Sequence, residues 1–358
     1  MRIGFFNSYK VWGGGEKWHY EMMEQFIAHN DECVLFAPFD GELYHRVKKN
    51  FSHVESHSIQ VGKYTYLNPV DQLSFIKLFK KNKVDILIFN SFVDIRAAAL
   101  AAKKAGVKKI VLRVGTPIAP AQKKSYIRSF QKGVDYIVGI SDEIINIFKN
   151  DAPDVVSNIA FHKIENGIDV DRIVPMDIEH STFTFGNCSR LTDQKGFPFL
   201  IQSVEKLKEL TSENFKVKIA GTGEDQELLE KLVQEKGLSD TIEFVGHVED
   251  IEHFYNDLDA LAFTSKFEGT ARTVLEAWST ELPVISYNVS SMKEMIEDGK
   301  DGFLIPPFDT ETYAHKMKEI VENPKKYKSF GKSGREKVME SYNKKKQYRK
   351  WYDYLTSL

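Results

Sequence analysis

The sequence predicts an α/β protein made of two doubly wound, Rossmann-like domains that face each other across a central cleft. At 358 residues the chain is long for one hydrophobic core and comfortable for two. Short apolar runs alternate with amphipathic helical stretches along the whole chain, which is typical of a parallel sheet with helical crossovers. This series stops near residues 176–180 and then begins again, so the same kind of domain is predicted twice.

The first domain is predicted to cover residues 1–175, with helices most clearly at residues 16–29, 97–106 and 142–149. Its strands are expected at residues 2–7, 32–38, 84–90, 109–114, 136–140 and 162–165. The second domain is predicted to cover residues 176–340. Its strands are expected at residues 182–187, 217–221, 241–245, 260–264, 283–286 and 302–305. The chain reads as helical from Thr310, and the segment 341–358 is predicted to be a helix that crosses back to the first domain.

The composition is that of a soluble globular protein, with 42% apolar and 28% charged residues. The two cysteines, Cys33 and Cys188, lie in different halves without metal-ligand spacing. No stretch reaches the apolar length of a signal peptide or a membrane span. We therefore predict a cytoplasmic protein.

The net charge is only −2, but the charges are unevenly distributed. The segment 63–132, which begins at Lys63 and ends at Lys132, holds fifteen Lys and Arg residues against three acids, with Tyr and Phe between them. Such a surface suits anionic lipid headgroups or nucleic acid, and ordinary solvated helix faces give the same pattern. Because no nucleic-acid-binding motif accompanies the charge, we predict an anionic membrane surface as a partner, a peripheral position on the inner face of the membrane, and no nucleic acid.

Glu268 and Glu276 follow a buried strand that ends near Ser265, and a helix is predicted from Arg272 to Ser279. Ligands bind at the carboxyl ends of strands in open α/β sheets, and the first amides of a helix attract anions. The segment therefore predicts an anion site flanked by two carboxylates, which suits a nucleotide-sugar. The residues around these amides are Gly269, Thr270, Ala271, Arg272 and Thr273.

Arg190 and Lys195 share the loop that follows the strand at 182–187, and Gly196 allows a sharp turn into the next helix. Both cations can reach one diphosphate, Arg with two hydrogen bonds and Lys as a point charge. A dinucleotide-binding fingerprint is missing, because neither Gly13-Gly14-Gly15 nor Gly221-Thr222-Gly223 has a third Gly at the required spacing. A nicotinamide enzyme is therefore a poor fit.

Taken together, these motifs closely resemble the retaining family 4 glycosyltransferases (glycosyl transferases group 1), which have the two-domain GT-B fold. The resemblance covers nearly the whole chain. The matching residues are Gly13-Gly14-Gly15-Glu16, Ile164-Glu165-Asn166-Gly167-Ile168-Asp169, Arg190-Leu191, Lys195-Gly196, Gly221-Thr222-Gly223, Phe244-Val245-Gly246, Glu268 to Ala277, Leu282-Pro283-Val284-Ile285, Glu297-Asp298-Gly299 and Gly302-Phe303-Leu304.

The resemblance implies a role for each matching position. Arg190 and Lys195 would bind the donor diphosphate and stabilise the leaving group, and Glu268 would contact the transferred sugar, so these three are the catalytic candidates. Glu276 would hold the ribose hydroxyls, and the amides of residues 269–273 would help to bind sugar and phosphate. Gly14 and Gly15 would let backbone amides of the first domain approach the phosphates or the acceptor.

Three further residues are candidates for the cleft: Glu16, Arg113 and His247. Many family members have a His in the first domain that touches the donor sugar, but this chain has none between His57 and His162. Arg113 lies at the corresponding strand end, either as a substitute for that His or as an ordinary strand-end cation. His247 borders the expected nucleobase pocket, although a solvated loop His is commoner. The pairs Asp169–Asp171 and Asp257–Asp259 are interpreted as structural, so no metal site is predicted.

The predicted function is the transfer of a hexose-type sugar, with retention, from a nucleotide-diphosphate donor to a glycan, glycolipid or polysaccharide-precursor acceptor. A UDP-sugar is favoured over a GDP-sugar, and no cofactor is predicted. Two alternatives remain at this point: a non-catalytic nucleotide-sugar-binding homologue, and a nucleotide-sugar epimerase of the same fold.

Overall fold

The computed structural model describes residues 1–178 and 180–358, which form two compact units. The first unit contains residues 1–165 and 350–358, and the second contains residues 166–349. Each unit is built on its own sheet of parallel strands, which confirms the predicted fold class of two doubly wound α/β domains.

The first unit begins with a strand and alternates strands with helices. In chain order its elements are β1 (Arg2–Phe6), α1 (Gly14–Ala28), β2 (Glu32–Ala37), α2 (Glu42–Asn50), β3 (Glu55–Ser58), α3 (Pro69–Lys81), β4 (Ile86–Phe89), α4 (Phe92–Ala105), β5 (Lys109–Val114), α5 (Lys124–Gly133), β6 (Tyr136–Gly139), α6 (Asp142–Asp151), α7 (Pro153–Val156) and β7 (Ala160–Lys163). The strand order in the sheet is β3-β2-β1-β4-β5-β6-β7.

One strand of this sheet, β3, is not predicted by the sequence pattern. Its four residues, Glu55-Ser56-His57-Ser58, are all polar, and the strand lies at the edge of the sheet with its side chains exposed or half-buried. An edge strand needs no apolar face, so apolar periodicity gives no signal for it.

The second unit repeats the pattern. In chain order its elements are β8 (Phe183–Cys188), a 3-10 turn (Asp193–Lys195), α8 (Phe197–Leu210), β9 (Phe215–Ala220), α9 (Gln226–Glu235), β10 (Ile242–Gly246), α10 (Ile251–Asn256), β11 (Ala260–Phe263), α11 (Arg272–Ser279), β12 (Val284–Tyr287), α12 (Met292–Met295), β13 (Gly302–Ile305), α13 (Thr310–Glu322), α14 (Pro324–Ser341) and α15 (Lys344–Ser357). The strand order is β10-β9-β8-β11-β12-β13.

The second sheet is buried on both faces. Along β11, Ala260 and Ala262 belong to one hydrophobic cluster, whereas Leu261 and Phe263 belong to another. Because successive side chains of a strand point to opposite faces, the two clusters cover the two sides of the sheet. This burial holds the strand ends, and the loops that follow them, in fixed positions.

The borders of the units differ from the predicted domain borders. The first lies after Glu165 rather than after residue 175, because Ile168 exchanges backbone hydrogen bonds with the segment before α15. Its N–H donates to the Tyr342 carbonyl at 2.8 Å, and its carbonyl accepts from the Lys344 N–H at 2.8 Å. The last border lies inside α15, whose residues from Lys350 onward belong to the first unit. Among the helices of the described residues, none combines the length and apolar character needed to cross a membrane.

Candidate functional site

The strongest candidate site lies at the carboxyl ends of β8 and β11 in the second unit. These strands are neighbours, but the chain leaves β8 toward β9 and β10 and returns to β11 on the other side. Loops that leave in opposite directions open a crevice at such a switch point. Arg190 and Lys195 follow β8, whereas Glu268 and Glu276 follow β11. The structure thus brings the two predicted groups of site residues to the same edge of one sheet.

Hydrogen bonds join the two loops. The Lys266 N–H donates to the Gln194 carbonyl at 2.8 Å, and the Gln194 side chain donates to the Phe267 carbonyl at 3.1 Å. The Lys266 ammonium also pairs with Asp193 at 2.5 Å. The loop that carries Lys195 is therefore attached directly to the loop that carries Glu268.

Gly196 makes the sharp turn between Lys195 and α8 possible. Its φ is +64°, and a Cβ at this position would lie 2.2 Å from the carbonyl oxygen of Thr264. A residue with a Cβ would be strained at this left-handed φ and would clash with the Thr264 carbonyl oxygen. The turn fixes where Lys195 stands relative to β11.

Lys195 and Glu268 form an ion pair. The Lys195 Nζ lies 2.6 Å from Glu268 Oε1, and the two side chains are only 16% and 11% exposed. The Ser291 hydroxyl donates to the Glu268 carbonyl at 3.1 Å and holds this part of the loop. An ammonium has three donors and a carboxylate two acceptor oxygens, so both groups keep capacity for a ligand.

Arg190 differs from Lys195, because it is exposed. Within residues 1–178 and 180–358, its guanidinium makes no hydrogen bond or ion pair. The loop beneath it is held by backbone bonds: the Leu191 N–H donates to the Thr222 carbonyl at 3.0 Å and the Ser189 N–H to the Ala220 carbonyl at 3.0 Å. The backbone at Arg190 is fixed while its charged end is available to an anion.

The N-terminus of α11 faces this crevice without a side-chain cap from the described residues. Ala271 is the N-cap residue, and the first turn carries no acid. Uncapped amides and the helix dipole together favour a bound anion. The Thr273 hydroxyl donates to the Cys188 carbonyl at 2.9 Å, which ties the start of α11 to the end of β8.

Glu276 is held by two neighbours. The Tyr255 hydroxyl donates to Glu276 Oε2 at 3.2 Å, and the Arg272 Nε lies 3.9 Å from Oε1. Tyr255 is fully buried, and burial together with the Glu276 charge raises its pKa well above the usual value. The tyrosine therefore remains a hydrogen-bond donor to Glu276. Burial and the same carboxylate raise the pKa of the Cys188 thiol to about 12, which opposes formation of the reactive thiolate.

Three residues that support the site were not predicted from the sequence: Asn187, Tyr255 and Ser291. Asn187 is 1% exposed, and its amide donates to the Ala262 carbonyl at 2.8 Å, bridging β8 to β11. A polar amide near the end of an apolar strand was a usable signal for Asn187. Tyr255 and Ser291 come from distant segments, and no local pattern identifies them.

The first unit holds three of the other predicted residues around the start of α1. Gly14 begins this helix and is exposed, and the Gly15 carbonyl accepts from the Asn90 amide at 2.9 Å. Glu16 is buried and accepts from the Asn7 amide at 2.8 Å. Gly14 therefore faces open space, Gly15 is half-buried against Asn90, and the Glu16 side chain is turned into the protein.

Arg113 and His247 occupy very different environments. Arg113, in β5, is only 5% exposed, and its guanidinium lies 5.0 Å from the centre of the Trp18 ring. Burial, with a smaller effect of Arg113, lowers the pKa of the neighbouring His19 to about 3. His247 is exposed and follows β10, the edge strand two places from β8. Arg113 belongs to the first unit and His247 to the second, and their place in a cleft stays a prediction.

The two Asp-x-Asp pairs have structural partners. Asp169 accepts from the Asp171 N–H at 3.2 Å, and Asp171 pairs with Lys345 at 2.7 Å. Asp259 accepts from the Thr184 N–H at 2.8 Å, and Asp257 lies 3.7 Å from the Lys218 ammonium.

Two family models match the chain. Residues 12–172 match "Glycosyltransferase Family 4" and residues 176–337 match "Glycosyl transferases group 1". The chain is 24% identical over 217 residues to a poly(ribitol-phosphate) alpha-N-acetylglucosaminyltransferase of Staphylococcus aureus (strain COL), a match covering 60% of this chain and 42% of that protein. It is 24% identical to UDP-Gal:alpha-D-GlcNAc-diphosphoundecaprenol alpha-1,3-galactosyltransferase of Escherichia coli, covering 76% and 75% of the two chains.

The structure resembles solved structures over the full length. The crystal structure of Anabaena Alr3699/HepE in complex with UDP superposes with a TM-score of 0.86 at 17% identity, covering 100% of both chains. The chain belongs to the group 1 glycosyltransferases and has their GT-B fold.

Proposed function

We propose that this chain is an enzyme that transfers a hexose-type sugar from a UDP-sugar to a lipid-linked or polysaccharide-precursor glycan. Transfer proceeds with retention of the anomeric configuration and without a bound metal or cofactor. The observation that carries the proposal is the meeting of the Arg190–Lys195 loop with Glu268 and the start of α11 at one crevice.

The diphosphate of the donor is the ligand that fits the positive part of this crevice. Arg190 can bind its oxygens with two hydrogen bonds, while Lys195 and the first amides of α11 add further positive charge. Negative charge grows on the diphosphate as the sugar departs, so fixed positive groups stabilise the transition state more than the ground state. The chain thereby accelerates the departure of the leaving group.

The two glutamates bind the hydroxyl-bearing ends of the donor. Glu268, beside Lys195, accepts hydrogen bonds from the transferred sugar. Glu276, held by Tyr255 and Arg272, accepts hydrogen bonds from the ribose hydroxyls. Because Lys195 is already paired with Glu268 at 2.6 Å, the donor enters a site whose charges are in place.

The relatives support the choice of donor and acceptor. The similar Anabaena structure holds UDP, and the E. coli relative uses UDP-Gal and an acceptor linked to diphosphoundecaprenol. The family resemblance supports retention.

The experiment is thermal stabilisation by UDP-sugars, GDP-sugars and the free diphosphates, with and without EDTA, followed by an assay of sugar transfer. A ligand that binds only the folded protein raises the melting temperature. We expect a shift with UDP-sugars that EDTA leaves unchanged, and turnover that Glu268→Gln removes while the variant still folds. A donor-induced shift without turnover on lipid-linked acceptors would instead indicate a non-catalytic binding protein, and conversion of the sugar without transfer would indicate an epimerase.

A further inference from the structure

The first unit carries a helix face that is apolar at one end and basic at the other. The loop before α3 exposes Tyr64 and Leu67, and the helix exposes Val70 and Leu73, with exposed fractions from 57% to 71%. The lysines Lys77, Lys80 and Lys81 follow on the same exposed side. Val70, Leu73, Lys77, Lys80 and Lys81 are spaced by three and four positions and therefore share one side of the helix. Together with the exposed loop residues Tyr64 and Leu67, we call them the α3 face.

The α3 face is held rigidly, so its exposure does not come from a loose segment. The Asn68 side chain caps α3 by accepting from the Val70 N–H at 3.0 Å. The Gln72 amide donates to the Ala97 carbonyl at 2.7 Å and to the Thr65 carbonyl at 3.1 Å. These bonds fix the helix start on α4 while the outer side chains stay in solvent.

The loop before α3 is also clamped by a cation between two aromatic rings. The Arg96 guanidinium lies 4.8 Å from the centre of the Tyr66 ring and 4.8 Å from that of Tyr126. This stacking connects the loop to α4 and α5. The exposed side chains of the α3 face are thus presented by a preorganised backbone.

The charges of segment 63–132, which contains the α3 face, are mostly positive. Of the three acids in segment 63–132, Asp94 is fully buried, and Asp85 pairs with Lys108 at 2.8 Å and accepts from the Arg2 N–H at 3.0 Å. Asp71 is half-buried on α3, away from the lysine side. The surface therefore combines aliphatic and tyrosine side chains with three lysines, Lys77, Lys80 and Lys81, that form no ion pair with any residue the structure describes.

We propose that the α3 face docks this protein onto an anionic lipid bilayer. A helix face with apolar side chains and lysines suits the boundary between headgroups and acyl chains, and each lysine gains from the negative surface potential. Aliphatic side chains such as Leu67, Val70 and Leu73 gain little from contact with bases, which favours lipid over nucleic acid. The docking inference rests on the proposed function in one respect: a lipid-linked acceptor gives the protein a reason to bind the bilayer.

The test is co-sedimentation of the full chain with vesicles of phosphatidylcholine alone or mixed with phosphatidylglycerol. We expect binding to the mixed vesicles. The triple variant Leu67→Gln, Val70→Gln, Leu73→Gln should weaken it at least about tenfold, and replacing Lys77, Lys80 and Lys81 by Gln should weaken it about fivefold per lysine. The matched controls are Leu228→Gln and Lys231→Gln on α9, whose side chains are also exposed and should not matter.

The docking proposal is overturned if the unmodified chain ignores mixed vesicles, or if the α3-face variants bind them as well as the controls do. Binding of an RNA oligonucleotide through the same lysines, without vesicle binding, would assign the surface to nucleic acid instead. Because the donor residues lie in the other unit, all variants should keep the UDP-sugar thermal shift. A failure of that shift therefore concerns the proposed function and not the α3 face.

Discussion

At the residue scale, the two cations of the crevice differ in what they do for the folded protein. Arg190 is exposed, and its guanidinium has no partner in the described part of the chain, whereas Lys195 neutralises a nearly buried carboxylate. Removing an exposed side chain that has no partner in the folded protein lowers the free energy of unfolding only a little. Removing a group that compensates a buried charge lowers it much more, because the charge that remains is left unpaired.

We therefore expect Arg190→Ala and Lys195→Ala to separate catalysis from stability. If the proposed mechanism holds, both should lower kcat/KM about 100- to 1000-fold, since each removes a charge to which that mechanism assigns stabilisation of the leaving group. The free energy of unfolding should change by no more than about 0.5 kcal/mol for Arg190→Ala and fall by about 3 kcal/mol for Lys195→Ala. Urea unfolding and steady-state kinetics measure the two effects. Equal stability of the two variants would contradict the role assigned to the Lys195–Glu268 pair.

Asp94 gives a prediction for pH. Its side chain is fully buried, it accepts from the Ser8 N–H at 3.2 Å, and its second oxygen has no partner among the described residues. Burial, with a smaller effect of Glu16, raises its pKa from the ordinary 3.8 to about 7. Between these values the folded protein keeps a proton that the unfolded chain has released. The bound proton on Asp94 therefore contributes its full stabilisation of the folded state below pH 3.8, and this contribution is lost as the pH rises through 7.

Asp94→Asn cannot ionise, so its stability relative to the unmodified chain should improve as the pH rises from about 4 to 7, by up to about 1.4 kcal/mol per pH unit. Urea unfolding of both proteins across this range gives the difference, which cancels the contribution of other groups. Parallel pH profiles would show that Asp94 has an ordinary pKa.

At the scale of elements, the site depends on a turn. The residues from Asp193 to Gly196 connect β8 to α8 and bring Lys195 against the loop after β11. The turn requires a left-handed backbone at Gly196 and close contact with the Thr264 carbonyl. Comparison with Gly237 separates the effect of the left-handed φ from the effect of the close contact. Gly237 has nearly the same φ, +63°, but no atom lies within 4 Å of an added Cβ.

Gly237→Ala should cost about 1 kcal/mol of stability, the cost of a left-handed Ala. Gly196→Ala should lower the free energy of unfolding several times as much, because the clash of the new Cβ with the Thr264 carbonyl must also be relieved. It should also lower the affinity for UDP-sugars, because Lys195 is displaced. Thermal unfolding and donor titration measure the two effects. Similar losses at the two positions would mean that close packing at Gly196 is unimportant.

At the scale of the whole molecule, the chain returns to its first unit at its end. Trp351, 2% exposed, packs against Trp18 of α1 with ring centres 4.9 Å apart, and Tyr354 stacks on His162 at 4.2 Å. The last turns of α15 therefore complete the core of a unit whose other residues end at Glu165.

Trp351→Ala should destabilise the first unit by about 3–5 kcal/mol, since it empties a large buried volume. Amide hydrogen exchange should become faster in β1 to β7 and stay unchanged in β8 to β13. The exposed Tyr9, which the same unit carries at its surface, is a suitable control for substitution to Ala. Faster exchange across both sheets would show that the two units unfold as one.

The sequence by itself determined the elements and much of the candidate site. Apolar runs and helical periods predicted twelve of the thirteen strands that the structure describes and the bounds of α11, because these are local properties of the chain. The rule that parallel strands end at one edge predicted that Arg190, Lys195, Glu268 and Glu276 share a crevice. Their assigned roles in binding and catalysis stay predictions until the donor experiment is done.

Only the tertiary structure decided how distant segments meet. The pairing of β8 with β11, the Lys195–Glu268 ion pair across 73 residues of sequence, and the Tyr255 hydroxyl on Glu276 have no local signature. The polar edge strand β3, the burial of Arg113 over Trp18 and the basic face of α3 were fixed in the same way. Periodicity and composition indicate which side of a helix or strand is buried. Which strand or side chain it contacts depends on the packing of the whole sheet.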